Sequence, residues 1–403
     1  MISTKPIYLA AYHQSPFGKL GALGVPEIVR RAVGGVCAEV GAPAAAVDVA
    51  SIGAACGISL NQQGLLSGLV AAVPGLAGKP IEAVENACAS GGQAVLSVVQ
   101  KLLCGLGEVG LAVGYEKMRG DDGKIDGTRV GEVLGYFSHP DDRPGKVYVF
   151  PHLFAEVMAE YMAAWGVTEE DLARIAVAEY ANARQNPDAQ MRNVELTLEK
   201  ALAIDGPNRY IVDGLPLKTY DCSQITDGYA ALLLATREGL DRLGVAPANA
   251  VRLAGWAQAT DPLSRAGRDV LRPAGALAAM GRAYAMAGVG PADVDVAEVH
   301  DCFSVMGAIG VEVLGLAAAG EGARFWRDGR AALGGDCGVN LSGGLIAKGH
   351  PIGATGVAML GWGFRQLLGR APAPLQRQDA EVAATFNIGG PICATVATVL
   401  TRE

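Results

Sequence analysis

A layered α/β fold is expected, and three observations carry it. Apolar segments of strand type alternate with stretches of helical spacing along most of the 403 residues. Glycine is abundant, at 55 residues, and mixes with alanine, which lets helices and sheets approach closely. A strand, a polar turn and a helix recur as one unit over 81–103 and 294–313, a weak internal duplication.

The elements follow in order. Residues 7–12 (IYLAAY) read as a strand, and 26–40 carry a helical pattern that stops near Gly41. A strand over 48–53 (DVASIG) comes next, then a short one over 81–85 (IEAVE) leading into Asn86-Ala87-Cys88. Gln93 to Leu103 has helical spacing, and 109–114 (VGLAVG) returns as a strand. The second half repeats the rhythm. A strand over 251–258, a helix over 274–287 ended by Gly288, a strand over 294–299 (VDVAEV) and a helix through Val313 are expected. A helix over 355–368 follows a glycine-rich turn, and 381–386 and 393–400 pair as closing strands. Residues 115–249 differ: they are more charged and hold a helical stretch from Thr168 to Arg184. They read as an inserted cap between an N-terminal half, 1–114, and a C-terminal half, 250–403. Such excursions cover or line a site.

Half the residues are hydrophobic and 18% are charged, so a large core is available. A net charge of −8 argues against a nucleic-acid surface. No apolar run suggests a membrane span. The N-terminus carries no signal-peptide pattern, so a cytoplasmic protein is expected. The eight cysteines (37, 56, 88, 104, 222, 302, 337, 393) form no CxxC pair and read as reduced thiols.

The chemistry concentrates in three polar islands: Asn86–Gly92, His300-Asp301-Cys302-Phe303 and Gly349–Gly356. They supply two cysteines and two histidines, the types needed for a thiolate nucleophile, a proton shuttle and oxyanion donors. Cys88 precedes a helix opening at Ser90, where N–H groups and the helix dipole lower a thiol pKa; its other reading is a small buried residue. His350 lies before a helix, with Pro351 fixing its backbone. His300 and Cys302, two apart, share a face at a strand end, and Asp301 points the other way. No zinc spacing joins these residues, and no metal is expected. His13, His139 and His152 are isolated and read as structural, Cys393 as core, and Arg184 and Arg192 as solvated. Gly353-Ala354-Thr355-Gly356 lacks the spacing of a phosphate loop and is explained by helix packing.

The segments Asn86–Gly92 and 343–356 (GGLIAKGHPIGATG) resemble the nucleophile and Gly-His-Pro segments of the thiolase superfamily, over nearly the whole chain. Other thiolases carry Asn-Glu-Ala-Phe and a late Cys-x-Gly. Here those places read His300-Asp301-Cys302-Phe303 and Asn387-Ile388-Gly389. That pairing is similar to the sterol-carrier-protein-type thiolases. Residues 182–190 (NARQNPDAQ), Asp221-Cys222-Ser223 and Thr226-Asp227-Gly228 resemble their loop-domain segments.

The resemblance implies a five-layer αβαβα thiolase fold and ping-pong acyl transfer, by thiolysis or Claisen condensation. Cys88 would carry the acyl group and His350 take its proton. His300 and His350 would form one oxyanion hole, and the N–H groups of Cys88 and Gly389 the other. Cys302 would shuttle the α-proton, since Asn387 has no titrating group, and Ser223 would meet coenzyme A. It implies an acyl-CoA and CoA as substrates and no permanently bound cofactor. It also implies a homodimer or homotetramer, with a small OB-fold, zinc-ribbon partner in some relatives. Other readings are a C-acyltransferase on a non-CoA acceptor, a CoA-thioester retro-aldolase and a non-catalytic CoA-binding scaffold.

Overall fold

The computed structural model describes residues 5–402. Among the described residues, ten strands form the frame. They are β1 (Tyr8–Gln14), β2 (Val49–Gly53), β3 (Ile81–Val84), β4 (Val109–Glu116) and β5 (Gly228–Ala235), then β6 (Val251–Thr260), β7 (Val296–Val299), β8 (Gly338–Val339), β9 (Val382–Gly389) and β10 (Ala394–Arg402). Their order is β3-β2-β4-β5-β1-β6-β10-β9-β7-β8. This is one five-strand order used twice and joined edge to edge, where Tyr8 pairs with Arg252 and Leu9 with Val251. In each half the second strand runs parallel to two neighbours and the remaining pairs are antiparallel. The duplication seen weakly in sequence is therefore a duplication of topology.

The helices that matter are α1 (Val25–Ala38), α2 (Ser90–Leu103), α3 (Gly127–Gly135), α4 (Val149–Trp165), α5 (Glu169–Ala183), α6 (Ala274–Ala287), α7 (Ser304–Val313) and α8 (Ile352–Leu367). Helix α1 covers the outer face of the first half-sheet; α6 and α7 cover that of the second. Helices α2 and α8 lie between the halves, giving the five layers expected. They cross at glycines. A Cβ on Gly356 would stand 2.1 Å from the Gly92 nitrogen, so only glycine allows this approach. Helix packing, not a phosphate, accounts for the Gly353–Gly356 run.

One expected boundary is corrected. Strand β5 falls inside 115–249 yet pairs with β4 and β1 in the sheet. Its sequence, GYAALLLA, is buried at every position. A strand covered on both faces shows no alternation, which is why it escapes a period-two search. The excursion from the sheet thus runs from 117 to 227. Its expected helix is α5, started by a capping box in which Thr168 and Asp171 bond each other's backbone N–H. Among the described residues, no helix is long and apolar enough to cross a membrane.

Candidate active site

The turn after β3, the turn after β7 and the segment before α8 meet at one cavity of about 350 Å³. Cys88, His300, Cys302 and His350 all line it. His13, His139 and His152 do not.

Cys88 lies between β3 and α2. Ser90 Oγ holds the turn, accepting the Asn86 N–H at 2.8 Å and donating to the Ala87 carbonyl at 2.6 Å. Ala87 takes φ +48°, a left-handed conformation that costs an L-residue roughly 1–2 kcal/mol. Strand β9 closes on this turn at Gly389, where a Cβ would stand 2.2 Å from the Asn86 oxygen. Backbone N–H groups of Cys88 itself and of Gly390 bear on the resting sulfur. Gly389 makes the close approach that seats β9 on this turn.

Asn387, on β9, donates its amide to the Cys88 carbonyl at 3.1 Å and to His300 Nδ1 at 3.0 Å. The carbonyl decides which end of the amide faces the site, since an amide oxygen cannot donate. His300 Nδ1 is therefore an acceptor, and the network assigns its proton to Nε2. That Nε2 is buried without a partner among the described residues. It is a donor awaiting an oxygen.

His350 meets His300 edge-on, with ring centroids 4.9 Å apart. Its Nδ1 lies 2.7 Å from Thr355 Oγ1, and that hydroxyl donates to the Pro351 carbonyl at 3.1 Å. With its one proton used there, Thr355 accepts from Nδ1–H, which leaves the His350 Nε2 lone pair free to act as a base. The backbone N–H of His350 is held by Thr226 Oγ1 at 3.0 Å. The excursion also clamps this segment from outside: Gln190 and Met191 N–H groups donate to the Lys348 and Ala347 carbonyls. One donor atom from each of Cys88, His300 and His350 lies within 4.8 Å of the others.

Cys302 is buried, and its carbonyl accepts the Ser223 N–H at 2.9 Å, which brings Ser223 into the lining. Asp301 points away, as expected, and accepts the N–H groups of Leu345 (2.8 and 3.0 Å) and Ile346 (3.1 Å). Glu179, on α5, faces Asp301, and Asn340 donates to it at 2.8 Å. Both carboxyls are fully buried, and burial together with the Asp301 charge pushes Glu179 well above the usual carboxylate range. One proton shared between them removes the repulsion. Glu179→Ala leaves Asn340 and Asp301 without that partner and is expected to cost about 1–3 kcal/mol in thermal unfolding. Glu179→Gln can still donate to Asp301 and should retain most of the stability. Equal losses in the two variants would count against the shared proton.

Two family models match the chain: Thiolase, N-terminal domain, over 7–238 and Thiolase C-terminal domain-like over 257–402. The acetyl-CoA acetyltransferase of Methanothermobacter thermautotrophicus is 34% identical over 379 residues, 94% of each chain. The chain belongs to the thiolase family. It is an enzyme of that family, an acyltransferase. The benzoylsuccinyl-CoA thiolase subunit BbsB of Thauera aromatica is 31% identical over 77% of each chain. Bovine sterol carrier protein 2 is 32% identical, over 90% of this chain and 66% of its own. Among solved structures, the Ltp2-ChsH2(DUF35) aldolase superposes with a TM-score of 0.81 at 22% identity, over 100% of this chain and 99% of that one. Human mitochondrial 3-ketoacyl-CoA thiolase gives 0.71 at 17%, over 99% of both chains. These two likenesses bear on the fold.

In this member of the family the resting charges differ from the sequence expectation. Burial pushes the Cys88 thiol up to about 12, with the Glu116 and Glu85 carboxylates adding to it; the two N–H groups oppose this but do not win. Burial and the Lys348 ammonium hold His350 down to about 3. Burial and the neighbouring His350 lower His300 as well. The resting pair is therefore neutral thiol and neutral imidazole, so a proton passing from one to the other would cross as the sulfur attacks. The base is competent at any pH above its lowered value, and the thiol keeps its proton below its raised one. Single-turnover acylation should accordingly be flat over roughly pH 5–9. A fall in rate below pH 6.5, the ordinary histidine value, would contradict a neutral resting pair.

Sequence reasoning missed Glu116. Its carboxylate takes the N–H groups of Ala55 (3.0 Å), Cys56 (2.9 Å) and Gly353 (3.1 Å), tying the loop after β2 to the start of α8. Burial lifts it to about 7. Thr226 and Thr355, which hold His350, were also missed as site residues. A threonine three or four residues into a helix behind a His-Pro pair is the one local signal that could have found Thr355.

Proposed function

We propose that this chain is a sterol-carrier-protein-type thiolase, transferring an acyl group between coenzyme A thioesters through Cys88. The observation that carries the reading is the paired tautomer assignment. Asn387 makes His300 a donor and Thr355 makes His350 a base, both beside the Cys88 thiol.

Cys88 sulfur attacks the thioester carbon while its proton moves to His350 Nε2. The carbonyl oxygen gains charge against the N–H groups of Cys88 and Gly389. Collapse expels the CoA thiolate, which takes the proton from His350 and leaves the acyl group on sulfur. In the carbon–carbon step, the oxygen of the second thioester accepts from His300 Nε2–H as enolate character develops; His350 joins that hole only while its Nε2 carries a proton. Cys302 exchanges the α-proton. Burial holds its thiol well above the usual range. A neutral thiol is the form that gives a proton to the enolate leaving in thiolysis; condensation requires it to take one. Ser223 meets the CoA arm. No metal takes part: the thiol and two imidazoles act as nucleophile, donor and base.

On the same likeness, the enzyme is proposed to work in the cytoplasm as a homodimer or homotetramer, with acyl-CoA and CoA as substrates and no resident cofactor. The aldolase neighbour carries a DUF35 component, which supports a complex with a partner protein, proposed here as the small OB-fold, zinc-ribbon kind. It also supports a second reading, retro-aldol cleavage of a CoA thioester. That cleavage needs no thiol nucleophile, so the placement of Cys88 beside a base favours acyl transfer.

Two-substrate kinetics with acetoacetyl-CoA and CoA test the choice. Parallel double-reciprocal lines, as ping-pong transfer gives, are expected. Turnover only of 3-hydroxyacyl-CoA thioesters, with no dependence on free CoA, would favour the aldolase.

A further inference from the structure

The cavity's polar groups are few beyond the catalytic candidates. Within 209–225, Arg209, Ser223 and Gln224 supply them, between Ile211, Cys222 and Ile225. The rest of its lining is mostly apolar: Val130 and Leu134 on α3, Phe137 just after it, Phe150 and Phe154 on α4, and Phe303, which pairs with Cys222 beside Ser223. None of these six side chains carries a hydrogen-bonding group. The phenyl rings form a continuous surface: Phe154 stacks on Phe303 at 4.5 Å between centroids and Phe150 on Phe154 at 6.3 Å. Cys88 itself packs into the apolar cluster with Val130, Leu134 and Phe137, so this wall begins at the nucleophile.

The pantetheine arm of coenzyme A contains two amides, and laying them on a hydrocarbon wall would leave them unpaired. The arm therefore belongs where Arg209, Ser223 and Gln224 can pair its amides, and the phenyl and aliphatic surface next to Cys88 is left for the acyl group. The cavity's 350 Å³ also takes the pantetheine arm; an acetyl group, about the size of two waters at roughly 10–15 Å³ each on this measure, would leave the phenyl surface uncovered. Resting on the acyl-CoA reading above, we infer that the site selects an apolar acyl group of about six carbons or more, linear or aromatic, over acetyl. The selection comes from removing methylene or ring surface from water against α3, α4 and Phe303.

Thioether analogues test this without any acyl transfer. S-ethyl-, S-hexyl- and S-benzyl-CoA are titrated into the full-length protein by calorimetry. S-hexyl- and S-benzyl-CoA are expected to bind at least about tenfold tighter than S-ethyl-CoA, short of the roughly 200-fold that four fully buried methylenes would give. Equal affinities, or a preference for S-ethyl-CoA, would overturn the inference while leaving the acyl-CoA reading in place. Failure of all three to bind would overturn both. Val130→Phe and Leu134→Phe fill the wall from two positions, the second half-buried and the safer for folding. In whichever variant keeps the wild-type unfolding temperature, the hexyl-to-ethyl ratio should fall several-fold. An unchanged ratio would place the acyl group elsewhere.

Discussion

Cys88→Ala should abolish acyl-enzyme formation and lower thiolysis of acetoacetyl-CoA by about 10³-fold or more, with a stability change of about 1 kcal/mol. The size of the effect follows from geometry. His350 has its free lone pair beside this thiol, and two backbone N–H groups converge on the same sulfur. Removing the sulfur leaves the donors with nothing to stabilise. Stopped assays with purified variant and unchanged far-UV dichroism would check this. Near-normal turnover would remove Cys88 from the mechanism.

Cys302→Ala is expected to separate the two half-reactions. On the sequence resemblance, Asn387 stands where other thiolases carry a late cysteine, and Asn387 is committed to the Cys88 carbonyl and to His300. The proton shuttle must then come from a different side chain, and Cys302 lines the same cavity. The variant should still acylate Cys88, yet lose α-proton exchange and carbon–carbon bond cleavage by about 10²–10⁴-fold. Cys393→Ala is the control. That thiol is buried against the Gly389 carbonyl, outside the cavity lining, and its loss should cost roughly a kcal/mol of packing only. If Cys393→Ala stops proton exchange and Cys302→Ala does not, the shuttle is Cys393.

The three polar islands were legible because residue type and local turn signals carry them: Cys88 before Ser90-Gly91-Gly92, His350 before Pro351, His300 and Cys302 at a strand end. Asp301 was legible too, by alternation. What joins the islands was not. Asn387 reaches Cys88 across 299 residues and Thr226 reaches His350 across 124, and no local pattern encodes such contacts. The Cys88 pKa was read with the wrong sign because the turn suggests N–H donors, whereas burial depth is a property of the assembled layers. Strand β5 was hidden by its own burial.

The central claim is that an acyl group passes through the Cys88 sulfur. Intact-mass and peptide mass spectrometry of the wild-type protein, after brief incubation with acetyl- and hexanoyl-CoA and an acid quench, measures it most directly. The expected result is a single acyl adduct on the peptide holding Cys88, removed by added CoA and absent from Cys88→Ala. No adduct with either donor, or an adduct that free CoA does not discharge, would contradict acyl transfer through this thiol.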